Sequence, residues 1–277
     1  MDRRDAMASP LPQTLTLVGA GKMGGAMLEG WLSIGVKGAG ITLLDPHISS
    51  EMQGLAVAEG MSVNPAAPKP AEVVVLATKP QMLDTAAPSV QALIGPTTLL
   101  ISILAGKTLG DLSARLPNAG AIIRAMPNLP ASVRRGVTAA AAGKGVSEAQ
   151  RQLADALLAG VGKVEWLSDE GLIDAVTAVS GSGPAYVFNM VECLAAAGIA
   201  AGLPADIAER LARATVEGAG EMLFQSPLPP ATLRQNVTSP GGTTAAALEV
   251  LMADNGLAPL MRRAVAAAKR RAEELSG

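Results

Sequence analysis

Leu15-Thr16-Leu17-Val18-Gly19-Ala20-Gly21-Lys22-Met23-Gly24 joins a mostly apolar run of four to a turn with glycine at its first, third and sixth positions. The run reads as a buried strand, and Gly24 to Leu32 reads as the helix that follows it. Gly19 permits a tight turn, Gly21 lets a pyrophosphate approach the backbone, and Gly24 lets the helix pack closely on the strand. The helix N-terminus offers N–H donors to a phosphate. Asp45 ends the next apolar run, close to the ~20-residue offset at which an acidic side chain meets a ribose. A glycine-rich turn without a ligand would need neither the flanking elements nor the acid. The segment predicts a dinucleotide site made by Gly19, Ala20, Gly21, Lys22, Met23, Gly24 and Asp45.

Outward from this stretch, Ile41–Leu44, Glu72–Ala77, Leu99–Ile103 and Ala121–Ile123 repeat the pattern of short apolar runs. Such near-continuous apolarity suits parallel strands buried on both faces. Helical segments lie between them, among them Thr108–Arg115 and Ser147–Leu158, the latter with Ser147 and Gln150 at capping-box spacing. Alternation of this kind predicts a doubly wound, Rossmann-like α/β domain over residues 14–166. Beyond it only helices are expected: Pro184–Ala201, Pro204–Phe224, Thr243–Met252 and Leu257–Leu275. Ser226–Pro230 reads as a short rigid connection. Residues 167–277 are therefore expected to form an all-helical domain, and residues 1–13 a flexible tail without function.

Composition narrows the function. The chain has 277 residues, with 22 Lys+Arg against 24 Asp+Glu. That balance argues against a nucleic-acid groove or an anionic membrane surface as partner. Having only five aromatic residues, Trp31, Trp166, Tyr186, Phe188 and Phe224, argues against a base-stacking platform. Cys193 is the single cysteine and His47 the single histidine, so no metal site of the Cys-cluster or His-rich kind is expected. Cys193 reads as an inert thiol packed in an apolar helix, and His47 as a solvated loop residue. The methionines read as core filler. No apolar run is expected to reach the ~18 residues of a membrane span. Arg3 and Arg4 precede no apolar signal region, so a cytoplasmic protein is expected.

Four further segments carry chemistry: Lys79-Pro80-Gln81, Arg124 to Pro130, Ser180-Gly181-Ser182-Gly183-Pro184-Ala185-Tyr186, and Val237-Thr238-Ser239-Pro240-Gly241-Gly242-Thr243-Thr244. In order and spacing, from Thr14 to Leu275, they resemble the pyrroline-5-carboxylate reductase family. The resemblance implies reduction of L-1-pyrroline-5-carboxylate to L-proline, the last step of proline synthesis, with NADPH or NADH as cofactor. It implies that Ser239, Gly241, Gly242, Thr243 and Thr244 grip the substrate, and that the Thr244 hydroxyl meets the ring nitrogen. Thr78, Lys79 and Pro80 would lie against the cofactor, and Asn64 at its adenosine end. Many members of the family hold a 2′-phosphate with a small hydroxyl residue where this chain has Asp45. A carboxylate accepts hydrogen bonds from a free ribose but repels a phosphate, so NADH is expected to serve at least as well as NADPH.

The residues support part of this directly. Gly241 and Gly242 can turn successive N–H groups toward one point, where an anion is favoured. Ser239 or Thr243 acting as a helix cap is the simpler reading of those hydroxyls. Arg124 reads equally well as a pocket residue or as half of an ion pair. The glycines of Ser180–Tyr186 permit close approach either to a ligand or to a helix. A β-hydroxyacid dehydrogenase shares the glycine-rich start, but it needs a lysine on a helix of the second domain, and none occurs between Leu167 and Gly256. A nucleotide-sensing module without catalysis is the third reading. Pro184–Ala201 has only Asn189 and Glu192 as strongly polar residues. A helix apolar on most of its circumference must be buried on nearly all sides. A helical domain of this size has few helices of its own to do that. A homodimer is expected, as the resemblance also implies, with rings of dimers as a further step.

Overall fold

The computed structural model describes residues 11–276. Most of the expected tail, residues 1–10, lies outside the described residues. Its last three residues are not loose. Leu11 packs against the core, and Gln13 N–H donates to Glu72 Oε2 at 2.9 Å.

Among the described residues, eight strands form one sheet. They are β1 (Leu15–Val18), β2 (Ile41–Leu44), β3 (Ser62–Val63), β4 (Val73–Leu76), β5 (Leu99–Ser102), β6 (Ala121–Met126), β7 (Gly136–Ala142) and β8 (Gly162–Trp166). Their spatial order is β3-β2-β1-β4-β5-β6-β7-β8. The pairs from β3 to β6 are parallel, β7 runs antiparallel to β6, and β8 is parallel to β7. The chain reverses direction across the sheet between β1 and β4. A doubly wound sheet opens its ligand crevice there, at the carboxyl ends of the strands.

Helices cover both faces: α1 (Lys22–Ser33), α2 (Ser50–Ala58), α3 (Leu83–Gln91), α4 (Leu109–Arg115) and α5 (Glu148–Ala159). Alternate strand residues divide between two cores, as a period of two requires. Leu15, Leu17, Val73, Val75, Leu99 and Ile101 face Met27, Trp31 and Leu157. Val74, Leu76 and Leu100 face Leu83, Val90 and Leu112. Ser147 caps α5, with the reciprocal bond from Gln150 that the sequence predicts.

The division of the chain differs from the expected break after Trp166. One compact unit takes the described residues up to Gly181 and then Lys269 onward; the other is Ser182–Ala268. The reason is a set of contacts made by residues 170–181. Arg124, inside β6 and not at its end, reaches Glu170 at 2.9 Å and Asp174 at 3.9 Å. Its side chain is 5% exposed, which settles it as an ion-pair residue. Ile173 and Ala178 are buried. Asn128 Nδ2 donates to Ser180 O at 3.1 Å, and Val137 N–H donates to Asn128 Oδ1 at 2.9 Å. The last turn of the chain belongs to this unit because Ser276 Oγ donates to Asp174 Oδ1 at 3.1 Å.

A short helix α6 (Ile173–Val176) passes through a π-turn at Thr177–Gly181 into α7 (Gly183–Ala200). The helical run Glu170–Ala200 is therefore 31 residues, long and apolar enough by length and composition to cross a membrane, with 6% of its apolar window buried. This corrects the expectation that no run reaches that length, because the helix begins well before the strictly apolar stretch. The second unit continues with α8 (Ala205–Gln225), α9 (Pro230–Asn236), α10 (Thr243–Leu251) and most of α11 (Leu257–Ser276). Leu203 N–H donates to Gly198 O and Gly202 N–H to Ile199 O, closing α7 with a Schellman motif before Pro204 opens α8.

Among the described residues of Ser182–Ala268, only Ala195, Ala208 and Ala212 are buried. Phe188, Met190, Leu194, Leu211, Met222 and Phe224 are exposed. Cys193 is exposed too, which corrects its reading as a packed thiol. Met27 and Met52 are core residues, but Met82 in the first unit and Met190, Met222 and Met252 in the second are exposed, so only some of the methionines are core filler. The physical reason is shared: this unit buries almost none of its apolar surface within one chain.

Candidate active site

At the carboxyl edge of the sheet, neighbouring strands β3, β2 and β1 are followed directly by Asn64, Asp45 and Gly19, and β4 by Ala77 and then Thr78. Gly19 adopts φ +96°, and a β-carbon there would lie 2.7 Å from the Ala77 carbonyl. At Gly24 a β-carbon would lie 2.2 Å from Gly19 O, so the third glycine sets how closely α1 packs on the turn. At Gly21 a β-carbon would meet nothing within 4 Å. Gly19 and Gly24 thus take the tight-turn and close-packing roles that the spacing predicts, and Gly21 faces open space.

Gly21 is also the N-cap of α1. No side chain caps this helix, and its first turn carries no acidic residue. The first N–H groups of a helix have no partner within it, so an uncapped start favours an anion. Lys22 is exposed, while the Met23 side chain packs partly against the core and leaves only its backbone to a ligand. Thr78 Oγ1 is buried and without a hydrogen-bond partner among the described residues. An open cradle, uncapped donors and an orphaned hydroxyl together fit a dinucleotide. Gly19 to Gly24, Asp45, Asn64 and Thr78 would hold it. Lys79 and Pro80 continue the same edge, with Lys79 exposed at the start of a short 3-10 turn.

Two expected ligand residues are already engaged within the chain. Asp45 Oδ2 accepts from Ala20 N–H at 2.7 Å, and Asp45 Oδ1 accepts from His47 N–H at 2.8 Å. Asn64 Oδ1 accepts from Asp45 N–H, and Asn64 Nδ2 donates to Asp45 O. The His47 side chain is exposed. Ser49 Oγ accepts from Met52 N–H and caps α2.

The Ser239–Thr244 loop lies in the second unit. Gly241 takes φ +66°, and Gly242 N–H donates to Ser239 O at 3.0 Å. The N-cap of α10 is Gly242, with no side-chain cap bond. Neither Ser239 nor Thr243 caps the helix, which removes the simpler reading of those hydroxyls. A β-carbon at Gly242 would lie 2.4 Å from Ser239 Oγ and 3.2 Å from Ser239 O, so a side chain there would displace the serine hydroxyl. Thr244, at the second position of α10, is half-buried; Ser239 and Thr243 are exposed. The donors at the start of this helix are available to a carboxylate. The structure also brings forward Asn128, which sequence reading did not single out. Its only signal was its place between two prolines after a strand.

Comparison with known proteins matches residues 170–275 to the pyrroline-5-carboxylate reductase dimerisation family. Residues 14–106 match the family described as NADP oxidoreductase, coenzyme F420-dependent. The chain is 39% identical over 264 residues to the pyrroline-5-carboxylate reductase of Pseudomonas aeruginosa, covering 95% of this chain and 96% of that one. Among solved structures, the Coxiella burnetii pyrroline-5-carboxylate reductase matches with a TM-score of 0.87 and 35% identity, over 96% of this chain and 99% of its own. The Plasmodium falciparum pyrroline carboxylate reductase, solved with NADP bound, matches with a TM-score of 0.79 and 26% identity, over 95% of this chain and 98% of its own. These likenesses run through both units and set aside the β-hydroxyacid dehydrogenase reading. The chain belongs to the pyrroline-5-carboxylate reductase family.

Proposed function

We propose that this chain reduces L-1-pyrroline-5-carboxylate to L-proline with NADH or NADPH. The observation that carries the proposal is the pair of uncapped helix starts, Gly21 before α1 and Gly242 before α10, in a chain of this family. One suits a pyrophosphate and the other a substrate carboxylate.

When bound, the reduced nicotinamide supplies a hydride to the imine carbon. Thr244 holds the ring nitrogen by a hydrogen bond, and the nitrogen gains its proton from water or by relay through that hydroxyl. A cyclic imine is basic enough to be protonated in this way, so a histidine acid is unnecessary. Ser239, Gly241, Gly242 and Thr243 fix the carboxylate, and most of the rate follows from holding the reactants in register.

The unit up to Gly181 supplies the dinucleotide site, and the helical unit supplies substrate binding and dimerisation. Exposed Phe188, Leu194 and Leu211 support a homodimer, since apolar surface of this extent marks an interface. Rings of dimers are a further step of the same proposal. We place the enzyme in the cytoplasm, with the apolar α7 covered by a second subunit and not by a membrane, and with no nucleic-acid partner. NADH serves at least as well as NADPH because Asp45 stands where a 2′-phosphate would approach. The test is oxidation of reduced nicotinamide by pyrroline-5-carboxylate with formation of proline. Absence of proline would overturn the proposal and favour a nucleotide-sensing module.

A further inference from the structure

Asp45 is held from two directions by backbone donors. Ala20 N–H reaches Oδ2 at 2.7 Å and His47 N–H reaches Oδ1 at 2.8 Å. Its own backbone is held by Asn64, which accepts from Asp45 N–H at 3.0 Å and donates to Asp45 O at 2.8 Å. Asn64 adopts φ +44°, in the left-handed region that asparagine tolerates better than most residues. Its N–H donates to Leu43 O at 2.9 Å, and Gly19 N–H donates to Leu44 O at 2.9 Å. The residue after β3, the end of β2 and the glycine-rich turn after β1 are thus tied together through one aspartate.

A residue that only contacts ribose does not need this arrangement. Ala20 is buried, so its N–H without Asp45 would be an unsatisfied donor, at the cost that any buried unpaired group carries. A carboxylate accepting from a backbone N–H also makes one of the stronger hydrogen bonds in a protein. We propose that Asp45, braced by Asn64, is a positioning residue that holds the glycine-rich turn in its phosphate-receiving shape, separately from any contact with ribose. The proposal rests on the dinucleotide reading of this edge and extends it to the residues that keep the edge in shape.

The two roles predict opposite results for one cofactor. If Asp45 acted on ribose alone, its removal would weaken NADH and leave NADPH unchanged or tighter, because a charge facing the 2′-phosphate is lost. If it positions the turn, both cofactors weaken. Binding of NADH and of NADPH to the full-length protein, measured by calorimetry without substrate, separates them. Asp45→Ala is expected to weaken NADPH by about tenfold, equivalent to about 1.4 kcal/mol, and NADH by at least as much. Asn64→Ala keeps the carboxylate and is expected to weaken both cofactors by a common factor. The double variant is expected to bind about as weakly as the worse single variant, since the two act through one brace. Asp45→Asn is expected to recover part of the loss, because its amide oxygen still accepts from Ala20.

NADPH affinity unchanged or raised in Asp45→Ala overturns the proposal, and so do losses that multiply fully in the double variant. If Asp45→Ala does not fold, Asp45→Asn and Asn64→Ala carry the same comparison. Wild-type protein that binds neither cofactor overturns the dinucleotide reading and this proposal with it. Wild-type binding with unchanged variants overturns this proposal alone.

Discussion

Arg124 Nη1 lies 2.9 Å from Glu170 Oε1, which also accepts from Leu109 N–H at 2.7 Å. One carboxylate oxygen thus joins β6, the start of α4 and the approach to α6. Arg124 is buried and Glu170 half-buried, so removing one partner leaves the other charge poorly compensated. Arg124→Ala is expected to destabilise the protein by about 3 kcal/mol, and Glu170→Gln by less, because its amide oxygen still accepts from Leu109. Urea unfolding of the two variants checks the order. Equal, small effects would remove the ion pair from the account.

The same substitution at two glycines should give different results. Gly24→Ala places a methyl against Gly19 O, and overpacking of this kind costs about 1–3 kcal/mol. Gly21→Ala meets no protein atom, so its unfolding midpoint should match the wild type. Its affinity for NADH and NADPH should nevertheless fall, because the methyl occupies the space reserved for the phosphates. Thermal melts paired with cofactor titration decide. A Gly21→Ala variant with unchanged affinity would remove that side of the turn from the site.

Thr244→Ala should lower turnover by a factor corresponding to about 1–3 kcal/mol, the cost of leaving a buried hydrogen-bonding partner unsatisfied. Thr244→Ser should retain most of the activity, since the hydroxyl is kept. Steady-state kinetics with pyrroline-5-carboxylate at saturating cofactor is the measurement. Unchanged kinetics in Thr244→Ala would exclude it from the mechanism.

The preference between cofactors is read as a ratio. Wild-type kcat/KM for NADH should equal or exceed that for NADPH, and Asp45→Ser should move the ratio toward NADPH whatever happens to the two values separately. A strong NADPH preference in the wild type, retained in Asp45→Ser, would show that the carboxylate does not face the 2′-phosphate.

In solution the protein should be a dimer or a ring of dimers. Light scattering coupled to gel filtration at micromolar concentration measures this directly. Phe188→Asp and Leu211→Asp, at exposed apolar positions of α7 and α8, should lower the mass and the activity together. An active monomer that persists on dilution would sink the claim.

Much of the dinucleotide edge was legible because its signals are local. Gly24 packs against Gly19 O within the turn itself, and strands β1, β2, β4 and β5 are short apolar runs of the kind a buried parallel sheet accommodates. The strands that escaped reading lack that signal. Gly136–Ala142 is rich in alanine, which favours helix and becomes a strand only by pairing with β6 and β8. Gly162–Trp166 alternates exposed Lys163 and Glu165 as an edge strand does, and Ser62–Val63 is two residues long. The Thr244 loop was legible as a motif, but whether its hydroxyls cap a helix was not. That depended on the φ and ψ of Gly241 and Gly242, which place the cap at Gly242.

Sequence alone determined the fold class, the glycine-rich turn and the capping box of α5, because propensity, spacing and periodicity act between neighbours in the chain. Only the tertiary structure decided that Arg124 belongs to Glu170 and Asp174, that Asn128 holds Ser180, and that Asp45 spends its carboxylate on Ala20 and His47. Those partners lie 46, 50, 52, 25 and 2 positions apart. Even the shortest of these bonds competes with every other donor brought to the same sheet edge. Which donor wins is set by where the strands place it, and a linear pattern carries no record of that.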